Sequence, residues 1–160
     1  MAKWISKTDG LKKLQRYCAY QDRCHQEVRK KLLDIGIYGD DLEDIIVDLI
    51  EDNFLNEERF ARSYARGKFR MKKWGRSRIK RELKQRSVSD YCIRKGMEEI
   101  EEAVYMQTLE ELIFKKLAQV KETEPYQQRR KIADHLIRRG YEVPLVWDQV
   151  IKLVPDKPKG

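Results

Sequence analysis

Apolar residues return along this chain at intervals of three and four, the spacing of a helix face. After a short lead over positions 1–7 that contains Trp4 and Ile5, Leu11, Leu14 and Cys18 form the stripe of a first helix, with Thr8 or Asp9 as its cap and its end near Tyr20. A second helix is expected from Asp22, with Val28, Leu32 and Leu33 inward and a stop at Gly36, a residue suited to the left-handed position after a helix. A third begins after Gly39, where Asp40 or Asp41 can cap it, and buries Leu42, Ile45, Ile46, Leu49 and Ile50.

The pattern then repeats. Asn56 caps a helix whose first turn carries Glu57 and Glu58, and Gly75 interrupts the chain. Ile79 and Leu83 mark the next helix, which ends at Ser87 and Val88, and Ser89 or Asp90 caps another through Ile93, Met97 and Ile100. A third copy has a long helix through Val104, Leu109, Leu112, Ile113 and Leu117, a loop over 123–125, a helix with Ile132 and Leu136, and a last helix after Pro144. Val28, Leu32, Gly36 and Ile37 align with Ile79, Leu83, Ser87 and Val88 at an offset of 51 residues, and these with Ile132, Leu136, Gly140 and Tyr141 at 53. Recurrence at such a period marks stacked helical units, each too small to bury its own face well. The expected fold is all-α, three tandem three-helix repeats over 8–54, 55–102 and 103–154, with a disordered tail over 155–160.

Composition adds shape and charge to this frame. The 160 residues are 41% apolar and 39% charged, a balance that suggests an elongated body with much surface. The net charge is +8 and the pI about 9.3, which favours nucleic acid or an acidic protein surface as partner. The charges are also segregated: positions 40–58 hold nine acids and no Lys or Arg, whereas positions 59–86 hold thirteen Lys or Arg and one acid, Glu82. Candidate binding residues therefore fall in the second repeat. Arg59, Arg62, Arg66, Lys68, Arg70, Lys72 and Lys73 precede the break at Gly75, and Arg76, Arg78, Lys80, Arg81 and Lys84 follow it. Arg62, Arg66, Arg70 and Lys73 are spaced to project from one face of one helix. Arg129, Arg130, Lys131, Arg138 and Arg139 decorate the matching helix of the third repeat. Trp74, among these charges, can pack at the corner or stack a base.

Catalytic signatures are missing from the pattern. The eight glycines are scattered singly, no nucleophile stands with a base at a known spacing, and the two histidines, His25 and His135, lie in separate repeats. Cys18, Cys24 and Cys92 form no CxxC pair and read as reduced, buried thiols; Cys24 beside His25 is too few ligands for zinc. The reading is a binding protein rather than an enzyme, without cofactor or metal. No apolar run approaches the ~20 residues of a bilayer span, so a monomeric cytosolic protein with no membrane contact is expected.

The run LNEERFARSYAR, the break at Gly75 and then GRSRIKRELKQRSV resemble the central signature of the RecX family, regulators of the bacterial recombinase RecA. The resemblance rests on Glu57, Glu58, Phe60, Ala61, Tyr64, Arg66, Gly75, Ile79, Glu82 and Leu83, and extends upstream through Tyr17, Lys31, Leu32 and Gly36, covering roughly residues 11–153. Ser87 departs from it where members often carry Gly, as do Cys24 and His25 where a small hydroxyl residue commonly opens the second helix. The resemblance implies a curved array of the three repeats that lies in the groove of RecA filaments on single-stranded DNA and blocks filament growth, ATP hydrolysis and strand exchange, so modulating recombination, DNA repair and the SOS response. Single-stranded and also double-stranded DNA are the expected nucleic-acid partners. Two alternatives stay open on the residues alone: a direct nucleic-acid binder with no recombinase partner, and a scaffold that self-associates through its acidic and basic blocks.

Overall fold

The computed structural model describes residues 5–156; Trp4 of the lead and positions 157–160 of the tail lie outside the described residues. Nine helices and no strand are found among them: α1 (Lys7–Tyr20), α2 (His25–Asp34), α3 (Gly39–Glu51), α4 (Glu57–Lys72), α5 (Arg76–Gln85), α6 (Asp90–Met97), α7 (Glu102–Gln119), α8 (Pro125–Arg138) and α9 (Val143–Leu153). They form three consecutive sets of three.

The internal alignment of the sequence is a shared way of ending the middle helix of each set. Gly36, Ser87 and Gly140 have φ of +88°, +59° and +106°. Their amides donate to Leu33, Lys84 and Ile137, and the next amides, of Ile37, Val88 and Tyr141, reach back to the carbonyls of Leu32, Leu83 and Leu136 at 2.9–3.1 Å. These are Schellman caps, which satisfy carbonyls that a helix end otherwise leaves bare. The residue after each left-handed position folds back into the core: Ile37, Val88 and Tyr141 are all buried, as are Val28, Leu32, Ile79, Leu83, Ile132 and Leu136.

Several helix starts and faces differ from the expectation. Ser6, not Thr8 or Asp9, caps α1, its hydroxyl accepting from the Asp9 amide at 3.1 Å. α2 starts at His25 rather than Asp22, because the Asp22 carboxylate is taken by Arg59 at 2.6 Å. Cys24 precedes it, and the Glu27 carboxylate accepts from the Cys24 amide at 3.4 Å, as the acid of a capping box does, and from the Cys24 thiol at 3.2 Å. Tyr38 stands at the cap position of α3, and Asp40 and Asp41 occupy its first turn. Leu33, Ile50 and Val104 are exposed, one step round from stripes that run at i and i+4. α6 ends at Met97, and Ile100 packs beyond it as a buried turn residue.

The chain divides into two compact units. The first holds positions up to Tyr64 together with Glu82–Gly96. Its core gathers Leu14 and Cys18 of α1, Val28 and Leu32 of α2, and Leu42, Ile45, Ile46 and Leu49 of α3, closed by Ile37 and Leu55. The second holds Ala65–Arg81 together with the chain from Met97 onward. There α7, α8 and α9 pack on one another around Leu109, Ile113, Ile132, Leu136, Val146 and Val150. Tyr105 and Tyr141 stack with centroids 5.1 Å apart, and Phe69 lies 5.7 Å from Tyr105.

Gly75 locks the α4–α5 turn within this second unit. Its amide donates to the Arg139 carbonyl at 3.0 Å, and the Ser77 amide to the Gly140 carbonyl at 2.9 Å. A Cβ on Gly75 would stand 2.2 Å from the Gly140 carbonyl carbon, a distance only glycine avoids.

Candidate nucleic-acid interface

The basic run of the second set separates into side chains already engaged and side chains left open. Arg59 belongs to the start of α4: its amide donates to the Asn56 side chain at 2.9 Å, and its guanidinium reaches Asp22 and the carbonyls of Asn53 and Phe54 at 2.6–3.1 Å. Arg62 pairs with Glu58 at 3.3 Å and Arg66 with Glu99 at 3.4 Å. Lys73 is not on the helix: it leaves α4 with φ of +57°. The four-residue face expected from Arg62, Arg66, Arg70 and Lys73 is thus broken, because two members turn to acids and the last sits in a left-handed turn. Glu99 and Glu102 are among the acids that recruit arginines.

Arg76 is the most engaged of all. It binds Glu142 and Glu102, each at 2.7 Å, and lies 3.9 Å over the Tyr105 ring. Its amide donates to the Tyr105 hydroxyl oxygen at 3.0 Å, and that hydroxyl donates in turn to Glu142. Burial and the Glu142 carboxylate push the Tyr105 pKa well up, so the phenol stays protonated. This network fastens the start of α5 to α7 and α9.

Trp74 is half-buried, with the Arg78 guanidinium 4.0 Å and the Lys68 ammonium 4.9 Å from its ring. The indole organises two of the candidate cations. Lys84, on the far end of α5, lies 3.8 Å from Asp90 with both side chains largely exposed, a contact worth little.

What remains is a set of five. Arg70 and Lys72 in the last turn of α4, Lys73 in the turn, and Lys80 and Arg81 on α5 are exposed, with no carboxylate within 4.0 Å among the described residues. All five belong to the second unit. Lysine and arginine complement the C-terminal end of α4, but α5 has no acid in its first turn. The acids at that end come from elsewhere in the fold, Glu102 and Glu142 through Arg76.

The second basic cluster is mostly consumed. Arg129 binds the Val154 carbonyl and Asp156, Lys131 binds Glu122 at 2.6 Å, and Arg130 approaches Asp134 at 4.0 Å. Arg139 donates to the carbonyls of Lys72 at 2.8 Å and Lys73 at 3.4 Å. Lys115, Lys116 and His135, which no spacing had singled out, border a cavity of about 410 Å³ with Lys73 and Arg139.

The cysteines are free and buried, and burial pushes the thiols of Cys18 and Cys24 up to about 11, away from the reactive thiolate. Among the described residues no group of His, Cys, Asp and Glu is placed to hold a metal ion. No helix among them is long and apolar enough to cross a membrane.

Two stretches match family models: residues 56–97 the second three-helix domain of RecX, and residues 103–148 the third. This chain belongs to the RecX family. RecX is a family of regulatory proteins, and its members give the scale of the likeness. The regulatory protein RecX of Prosthecochloris aestuarii is 29% identical over 141 residues, 86% of this chain and 91% of that protein. That of Bacillus cytotoxicus is 27% identical over 125 residues, 78% of this chain and 46% of that protein, so the chain spans about half the length of this longer RecX. Among solved structures, RecX from Lactobacillus salivarius superposes with a TM-score of 0.83 at 22% identity, over 92% of this chain and 96% of that one. A second RecX crystal structure gives 0.76 at 19% identity, over 94% and 74%. At these identities the structural likeness establishes the RecX fold.

Proposed function

We propose that this chain regulates RecA by binding RecA filaments on single-stranded DNA and opposing their growth, ATP hydrolysis and strand exchange. Family membership supports RecA as the partner. The observation that carries a filament contact is the exposed set Arg70, Lys72, Lys73, Lys80 and Arg81, which has no acid partner among the described residues. Uncompensated cations at a surface draw a polyanion, because neutralising phosphates releases the counterions condensed on them. Arg59, Arg62, Arg66 and Arg76 shape the scaffold in this reading, Lys68, Arg78 and Trp74 flank the contact, and Lys84, in the first unit, is not part of it.

The function divides experimentally from direct nucleic-acid binding. Fluorescence anisotropy with labelled single-stranded DNA, bare and coated with RecA and ATP, is expected to show tight binding to the coated strand alone and inhibition of RecA ATPase at the same concentrations. Equal binding to both strands would make the protein a direct DNA binder. Binding to neither would leave a scaffold.

A further inference from the structure

The cavity bordered by Lys73, α7 and α8 lies wholly within the second unit. Lys73, Lys115, Lys116 and Arg139 face it, and none has a carboxylate within 4.0 Å among the described residues. One acid, Glu111, also lines it, and Gln107 donates to that carboxylate at 3.4 Å. Four cations held round about 410 Å³ repel one another, and a low-dielectric concave wall concentrates their field. The field is felt by His135 on the same wall: burial and the charges of Lys116, Arg139 and Arg138 push its pKa below the ordinary value.

We propose that this cavity binds a compact polyphosphate, either free or as the triphosphate end of a nucleotide. Charge density selects this class. A single strand brings roughly one charge per nucleotide, fewer than the four cations can neutralise in this space, whereas a triphosphate concentrates its charge there. The lining that the described residues provide has no Phe, Tyr or Trp; the His135 imidazole and the Arg139 guanidinium are its only planar groups, so charge rather than stacking dominates it. Arg139 is pre-set by its bonds to the Lys72 and Lys73 carbonyls, while the lysines of α7 supply adaptable point charges.

Isothermal titration of the full chain with inorganic tripolyphosphate at low ionic strength tests this. The Lys115→Gln/Lys116→Gln double variant is expected to weaken binding by about tenfold or more, since each loses one charge-assisted contact. The matched Lys12→Gln/Lys13→Gln variant removes equal charge from α1 and is expected to stay within about twofold. Amide shifts induced by tripolyphosphate should centre on Lys73, Lys115, Lys116, His135 and Arg139, and ATP should bind about as well as tripolyphosphate. Absent binding, or equal losses in the two double variants, would overturn the site. So would a short single-stranded oligonucleotide that binds the same amides more tightly than tripolyphosphate. Lys115 and Lys116 take no part in the proposed filament contact and the titration contains no RecA, so this test and the ATPase assay fail independently.

Discussion

Ser87 carries a conformational cost that the other two middle-helix caps avoid. It holds φ of +59° at the position where the other two sets have Gly36 and Gly140, and an L side chain in that region is strained by roughly 1–2 kcal/mol. Part of that would be returned as the extra freedom of glycine in the unfolded chain, so Ser87→Gly is expected to stabilise by about 0.5–1 kcal/mol. A urea midpoint that stays or falls would refute the account of the cap. His135 makes a pH statement of the opposite kind. Its folded pKa lies below 6.5 through burial and the nearby Lys116, Arg139 and Arg138. As pH falls through 6.5 the unfolded chain therefore takes up the proton first, and stability declines until the folded ring also titrates. Relative to wild type, His135→Gln should flatten the acid side of the melting profile between neutrality and pH 5, and parallel profiles would contradict this.

The two roles of the basic run belong to the elements α4 and α5. Reversing the exposed residues, Arg70→Glu with Lys80→Glu and Arg81→Glu, should leave circular dichroism and melting nearly unchanged while abolishing inhibition of RecA ATPase. Arg76→Ala should do the reverse in the first respect, lowering stability by about 1–3 kcal/mol because Glu142 and the Tyr105 ring lose their partner. A triple variant that melts normally and still inhibits would move the contact surface away from these helices. The contrast matters because both sets look alike in sequence, lysine and arginine at helical spacing.

Charge acts at the scale of the whole molecule. A net charge of +8 speeds encounter with any polyanion, but only cations that meet phosphates contribute to the salt dependence of affinity. If the five exposed residues make that contact, the affinity for RecA-coated single strands should fall with a log–log slope of about −3.5 in salt. A slope near zero would mean that the contacts are to protein surface rather than phosphate. The acidic block is used in part within the fold, since Glu43 on α3 pairs with Arg29 on α2 at 2.6 Å and Asp44 with Lys7 on α1 at 2.8 Å.

Local periodicity was enough to specify the helices and their repeat. Burial of Val28 and Leu32, Ile79 and Leu83, and Ile132 and Leu136 follows from spacing alone, as does a turn residue after each middle helix, because these depend on interactions within five or six residues. The membership of the RecX family was likewise legible in the residues from Glu57 to Leu83. The side of a stripe on which Leu33 or Val104 falls was not, since that is set by which neighbouring helix covers it. Nor could the sequence divide thirteen basic residues into pairs and open charges: Arg76 meets Glu142 across 66 positions and Arg66 meets Glu99 across 33. A charge is committed or available according to what the tertiary fold brings within reach, and that distance is not written in sequence separation.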